Sequence, residues 1–104
     1  MRHASALCLC LFTICLSCGA KAADLDCKDI AWKARLIMTA RQMNGDIVKL
    51  TADTEREGWP FAREMILEAY ALPLETKAEK QRPTGAMEAF GNEWGRRCLA
   101  GELD

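Results

Sequence analysis

The sequence predicts an all-α fold: a small bundle of three to four short helices, with one disulfide joining the first helix to the last. Apolar residues recur at three- and four-residue steps almost throughout, and no segment shows the sustained alternation of a strand. A chain of 104 residues has room for one domain. Outside residues 1–22 only Cys27 and Cys98 remain of the six cysteines, and they stand near the two ends of the domain.

Residues 1–22 have the three parts of a secretory signal peptide. Residues 2–3 are basic, residues 4–16 form an uncharged apolar run, and Ala-Lys-Ala at 20–22 places small residues where a signal peptidase cuts. The apolar run is shorter than the roughly 20 residues that span a bilayer. We therefore expect a cleaved signal peptide and a mature periplasmic or secreted domain at 23–104. The alternative is a buried N-terminal helix of the domain.

A second processing route also fits this segment. Leu16-Ser17-Cys18-Gly19 resembles the site at which bacterial lipoproteins are cut and lipidated on cysteine. On this route Cys18 would become the first residue, and its acyl chains would hold the protein on a membrane surface. A membrane is therefore an expected partner only if Cys18 is lipidated.

The two remaining cysteines indicate one disulfide. Two cysteines in an exported domain most simply pair with each other, which here joins Cys27 to Cys98. The alternative is a metal site, but two thiolates without a histidine supply only half of a zinc site.

Several chemistries are excluded by what the mature domain lacks. The only histidine and both serines lie within residues 1–22, so Ser-His and Cys-His nucleophile pairs are absent from 23–104. The usual ligand of zinc, copper and haem is missing for the same reason, and we expect no metal and no cofactor. Twelve basic and fifteen acidic side chains remain after cleavage, which argues against a nucleic-acid partner.

Helix one is predicted from about Leu25 to Met43. Asp24 or Asp26 can cap its N-terminus, and Asn44-Gly45 is a typical stop signal. One apolar face is predicted from residues at three- and four-residue steps, namely Cys27, Ile30, Ala31, Ala34, Ile37 and Met38.

The middle of the chain predicts a short second helix or turn at 46–54 and a polar loop at 53–58. Helix three is predicted to start at Trp59-Pro60, because proline is favoured in a first helical turn. It should end at Leu72-Pro73, because the residue before proline disfavours α geometry.

The last third of the chain predicts a charged helical turn or loop at 75–82 and a fourth helix over 84–99. One face of that helix carries residues four apart, namely Ala86, Phe90, Trp94 and Cys98. For the two cysteines to meet, helices one and four must be antiparallel neighbours.

Apolar side chains outside the predicted core indicate where the protein binds. Trp32, Leu36 and Met43 form a second stripe on helix one, so either both of its faces are buried or one is an interface. Trp59 and Phe61 follow a polar loop. They predict either an exposed aromatic tip or, as we favour, a staple folded back over helix three.

A polar pair is predicted near the ends of helices one and three. If these ends lie together, Arg41 is expected to hydrogen-bond carbonyl groups or to stack on Tyr70, which is usually a structural role.

Four short elements resemble small exported helical proteins of Gram-negative bacteria. They are a cysteine near the mature N-terminus, Ala-Arg-Gln at 40–42, Ala-Tyr-x-x-Pro at 69–73 and Phe-x-x-x-Trp-x-x-x-Cys at 90–98. The resemblance spans most of the mature chain and implies a periplasmic location and one disulfide, but no activity. The overall plan is also similar, at the level of the fold alone, to the small acid-stress chaperones of the periplasm.

These features predict a periplasmic, non-catalytic binding protein that acts through apolar and aromatic helix surface. The expected partner is another envelope protein or a second copy of the chain. Two alternatives stay open. One is an inhibitor that inserts residues 53–59 into an envelope enzyme. The other is a small carboxylate-based hydrolase built on Glu64, Glu68 and Glu93, for which a raised carboxylate pKa in a cleft would be the sign.

Overall fold

The computed structural model describes residues 25–82 and 85–103. The predictions for residues 1–22, including the signal peptide and the lipid site at Cys18, lie outside these residues. The described residues contain no strand. They form five helices, α1 (Cys27–Gln42), α2 (Ile47–Arg56), α3 (Ala62–Ala71), α4 (Lys77–Lys80) and α5 (Ala86–Leu99).

The predicted fold class is confirmed. Cys27 begins α1, Cys98 lies in the last turn of α5, and a disulfide joins them across a Cα–Cα distance of 5.4 Å. The structure has five helices in the described residues, where the sequence predicts three or four, and the additional helix is α4. It is a single turn in the segment where the sequence predicts a helical turn or a loop.

Aspartates start the first two helices. The Asp26 carboxylate accepts hydrogen bonds from the backbone N–H groups of Lys28 and Asp29, and Asp46 caps α2 in the same way. These bonds satisfy donors that a helix N-terminus otherwise leaves unpaired. Between the two helices Asn44 adopts a left-handed backbone with φ 57°, which turns the chain back on itself.

Two predicted boundaries are wrong. Residues 53–56 are helical, because Asp53 forms ion pairs with Lys49 and Arg56 at helical spacing and so stabilises the end of α2. Helix α3 begins at Ala62 and not at Trp59-Pro60. Phe61 has a left-handed backbone, with φ 58°, which separates the proline from the first helical turn.

The core lies among α1, α3 and α5. Met65 and Ala69 of α3 are fully buried, while α2 lies against α3 and contributes the partly buried Ile47 and Leu50. The predicted apolar faces of helices one and four supply most of the other core residues, namely Ile30, Ala34, Ile37, Met38, Phe90, Trp94 and Cys98.

Helices α1 and α5 share the most extensive contact in the fold. Two glycines of α5 face α1 at this contact. A Cβ atom on Gly91 would lie 2.8 Å from the Ala31 carbonyl oxygen, and one on Gly95 would lie 3.1 Å from the Ala31 Cβ. Only glycine allows the two backbones to approach so closely.

Removing the disulfide should lower stability sharply. The bond closes a loop of 71 residues, and the chain-entropy model assigns about 4 kcal/mol to such a closure. We expect Cys27→Ala with Cys98→Ala to lower the Tm measured by circular dichroism, as reduction of the wild-type protein should. An unchanged Tm in both samples would contradict this role.

Gly91→Ala should destabilise the domain by about 1–3 kcal/mol, because the new methyl group meets the α1 backbone and not a movable side chain. Denaturant unfolding measures the change. The control is Asn92→Ala at the exposed neighbouring position, where the free energy of unfolding should fall by no more than about 0.5 kcal/mol. If both variants lose the same free energy of unfolding, α1 and α5 can move apart to accommodate the methyl group at position 91 without loss of stability.

Candidate functional site

The outer face of α1 is open to solvent. Trp32 is 55% exposed, Leu36 37% and Met43 78%, on the side of the helix opposite the buried Ile30 and Ala34. Of the two alternatives for this stripe, burial within the molecule is therefore wrong for the described structure. We name Trp32 and Leu36, which lie one turn apart, the α1 patch.

A shallow groove runs beside Trp32. It has a volume of about 440 Å³ and is lined by residues of α1 and α5, including Arg35, Glu88 and Asn92. The Arg35 guanidinium lies 6.0 Å from the Trp32 ring centre and 3.5 Å from a Glu88 carboxylate oxygen. An aromatic surface and several polar groups therefore converge at this point.

The other two predicted binding residues pack inward. Trp59 and Phe61 are partly buried against the core. The Lys33 ammonium group lies 5.5 Å from the Trp59 ring centre, and the Phe61 ring centre lies 6.2 Å from that of Trp94. The exposed-tip alternative is therefore wrong. Of the predicted binding residues, Trp32 and Leu36 of the α1 patch are the ones that are exposed.

Arg41 and Tyr70 meet as expected. Two nitrogens of the Arg41 guanidinium donate to the Leu72 carbonyl, at 3.1 and 2.9 Å, and the group lies 5.3 Å from the Tyr70 ring centre. The Tyr70 hydroxyl donates to the Gly45 carbonyl at 2.8 Å, and burial raises the pKa of this phenol. Arg41 and Tyr70 therefore tie the end of α1 to the end of α3 and have a structural role.

Arginine engages two of the three carboxylates considered for a hydrolase, Glu68 and Glu93, while Glu64 is exposed on α3. Both Glu68 oxygens accept hydrogen bonds from Arg97, at 2.9 and 3.0 Å. Hydrogen bonds from Arg96 and then Arg97 lower the pKa of Glu93 from 4.5 to about 2. A general acid needs the opposite shift, so the arginine hydrogen bonds to Glu93 argue against it as a general acid. The spacing of Glu93 from the two arginines is a sequence signal for these ion pairs that our prediction missed.

The proposed inhibitor loop is also held in place. Residues 53–56 belong to α2, and Glu55 forms an ion pair with Arg63 at the start of α3. Beside this pair lies a second surface that the sequence reading missed. It is a groove of about 470 Å³ between α2 and α3 that carries the exposed Val48 and Leu67.

Comparison of the chain with protein-family models, with curated proteins and with solved structures finds no match. None of the helices in the described part of the chain has the length and apolar character that crossing a membrane requires.

The ion pairs should make stability fall in acid. Hydrogen bonds from Lys49 and Arg56 lower the pKa of Asp53, as the arginines do for Glu93. A carboxylate with a depressed folded-state pKa stabilises the fold above its unfolded pKa and loses this effect as pH falls through the folded value. We expect the Tm to decrease between about pH 4.5 and pH 2.

Glu93→Gln is the control for this pH dependence. The variant lacks the carboxylate with the pKa of about 2, so its Tm should fall less steeply between pH 4.5 and pH 2. Scanning calorimetry at several pH values measures both curves. Parallel curves for the variant and the wild type would contradict a stabilising role for the Glu93 pairs.

Proposed function

We propose that the protein is a non-catalytic binding protein of the Gram-negative cell envelope, exported to the periplasm, and that it binds another protein through the α1 patch. The observation that carries the proposal is the 55% exposure of Trp32 on a helix whose opposite face already completes the core. Tryptophan is the side chain most enriched in binding hot spots, because it brings a large apolar area with few rotatable bonds.

The size of the patch suits a modest protein contact. Leu36 adds an apolar side chain one turn from Trp32 and still exposes 37% of its surface, which a partner could cover. Met43 extends the same stripe toward the end of α1 and is 78% exposed. A partner that covers the whole stripe would remove three large apolar side chains from water.

The ion pairs of Glu68 and Glu93 favour binding over catalysis as the function. Glu68 and Glu93 are engaged by Arg97, so neither is free to act on a substrate. The disulfide supports export, because such bonds persist in oxidising compartments and are rare in the cytosol.

The α1 patch predicts that Trp32→Ala and Leu36→Asp abolish partner binding without unfolding the protein. Trp32 is 55% exposed and Leu36 37%, and neither belongs to the core, so each variant should stay folded with its disulfide formed. The binding readout is a photo-crosslinker at position 35, the exposed neighbour of Leu36, in the exported protein in living cells, with and without each substitution. A crosslinker at Glu64, an exposed position on α3, is the control.

Three outcomes separate the possibilities. A protein crosslinked from position 35 and not from position 64, and lost in Trp32→Ala and Leu36→Asp, supports the proposal, and its mass distinguishes an envelope protein from a second copy of the chain. Equal crosslinking from both positions contradicts the proposal. Two unfolded variants would also contradict it, since they would place Trp32 and Leu36 in the core.

A further inference from the structure

The groove beside Trp32 continues along the seam between α1 and α5. A second hollow of about 730 Å³ adjoins it, and the two share Lys28, Ala31 and Asn92 in their linings. Together they form one groove, which we name the α1–α5 groove. Trp32 lines the half that contains Arg35 and Glu88, and Leu99, which is 81% exposed, lines the other half.

The floor of this groove is made of small residues. Ala31 belongs to α1, and Gly91 and Gly95 belong to α5, so the floor carries only short side chains, and the Arg35–Glu88 ion pair crosses the seam at one end. A main chain lying in the groove could therefore approach both helices closely, as it does where small residues line a helix contact.

The charges of the groove are not balanced. Lys28 forms no ion pair with any described residue. Arg35 meets Glu88 only at 3.5 Å, while Arg96 is held by both Glu93 and Glu102. The groove therefore presents, at Lys28, a cation that no carboxylate of the described residues pairs, on a protein with more acidic than basic side chains.

We propose that the α1–α5 groove binds an amphipathic helical segment of a partner protein that places apolar side chains on Trp32 and Leu99 and a carboxylate on Lys28. The inference rests on the proposed function and names the chemistry of the partner. A helix suits the groove because apolar helices bind in grooves of this kind, whereas an extended peptide usually adds to the edge of a sheet. The described residues have no sheet edge.

An anionic lipid surface fits the groove less well than a peptide. Electrostatic attachment to a bilayer takes a cluster of about 4–8 basic residues. In this groove Lys28 is the single cation that forms no ion pair with the described residues. A concave seam also suits a helix better than it suits a flat membrane.

Selection from a random 14-residue peptide library tests the inference. The exported protein is the bait, as wild type, as Lys28→Glu and as Lys80→Glu, a charge reversal on the exposed lysine of α4. Peptides selected by the wild type and by Lys80→Glu should combine apolar residues at helical spacing with Asp or Glu. Lys28→Glu should lose the acidic preference and bind the selected acidic peptides about tenfold more weakly, which corresponds to about 1.4 kcal/mol.

The outcomes distinguish this inference from the proposed function. If selected peptides show no acidic preference but Trp32→Ala still abolishes their binding, the inference fails and the proposed function stands. If Trp32→Ala binds the selected peptides as well as the wild type does, the inference fails, and crosslinking from position 35 decides the proposed function separately. The inference is also overturned if no peptide is enriched, or if phosphatidylglycerol vesicles bind the wild type and not Lys28→Glu while peptides do not.

Discussion

The close contact between α1 and α5 is the constraint on which the rest of the structure depends. Gly91 and Gly95 allow the two backbones to approach, and the disulfide joins the start of one helix to the end of the other. The contact leaves α3 to complete the core from one side, with α2 lying against α3. The opposite side of α1 then has no helix to cover it in the described structure, which is why Trp32 is exposed.

Arginines position the third helix against this pair. Arg41 joins the end of α1 to the carbonyl end of α3, and Arg97 joins α5 to Glu68 in the middle of α3. Exposed ion pairs each contribute little to stability, but a bidentate guanidinium restricts the geometry of the groups it joins. Arg97 also occupies Glu68 and Glu93, two of the three carboxylates considered for a hydrolase, so the ion pairs that stabilise the fold leave fewer acids for catalysis.

Much of this arrangement follows from local pattern. The apolar periodicity predicts the core faces of α1 and α5, the cysteine count predicts the disulfide, and the helix stops bring Arg41 to Tyr70. The left-handed backbone of Phe61 depends on tertiary packing, and residue type does not predict it. Periodicity also detects the second stripe on α1, but it cannot say whether another helix covers Trp32. Gly91 and Gly95, four residues apart in α5, are a further sequence signal of the close contact between α1 and α5. Glycine within a helix, however, usually indicates a weak point and not a contact.

The three tryptophans lie in three different environments. Trp32 is mostly in water, Trp59 lies partly buried beside the Lys33 ammonium group, and Trp94 is enclosed with the Arg97 guanidinium 4.7 Å from its ring centre. Their emission spectra should differ accordingly, with Trp32 the most red-shifted. Because it is also the tryptophan on the open face, the protein carries an intrinsic optical reporter of that face, and its emission can be followed without an attached dye.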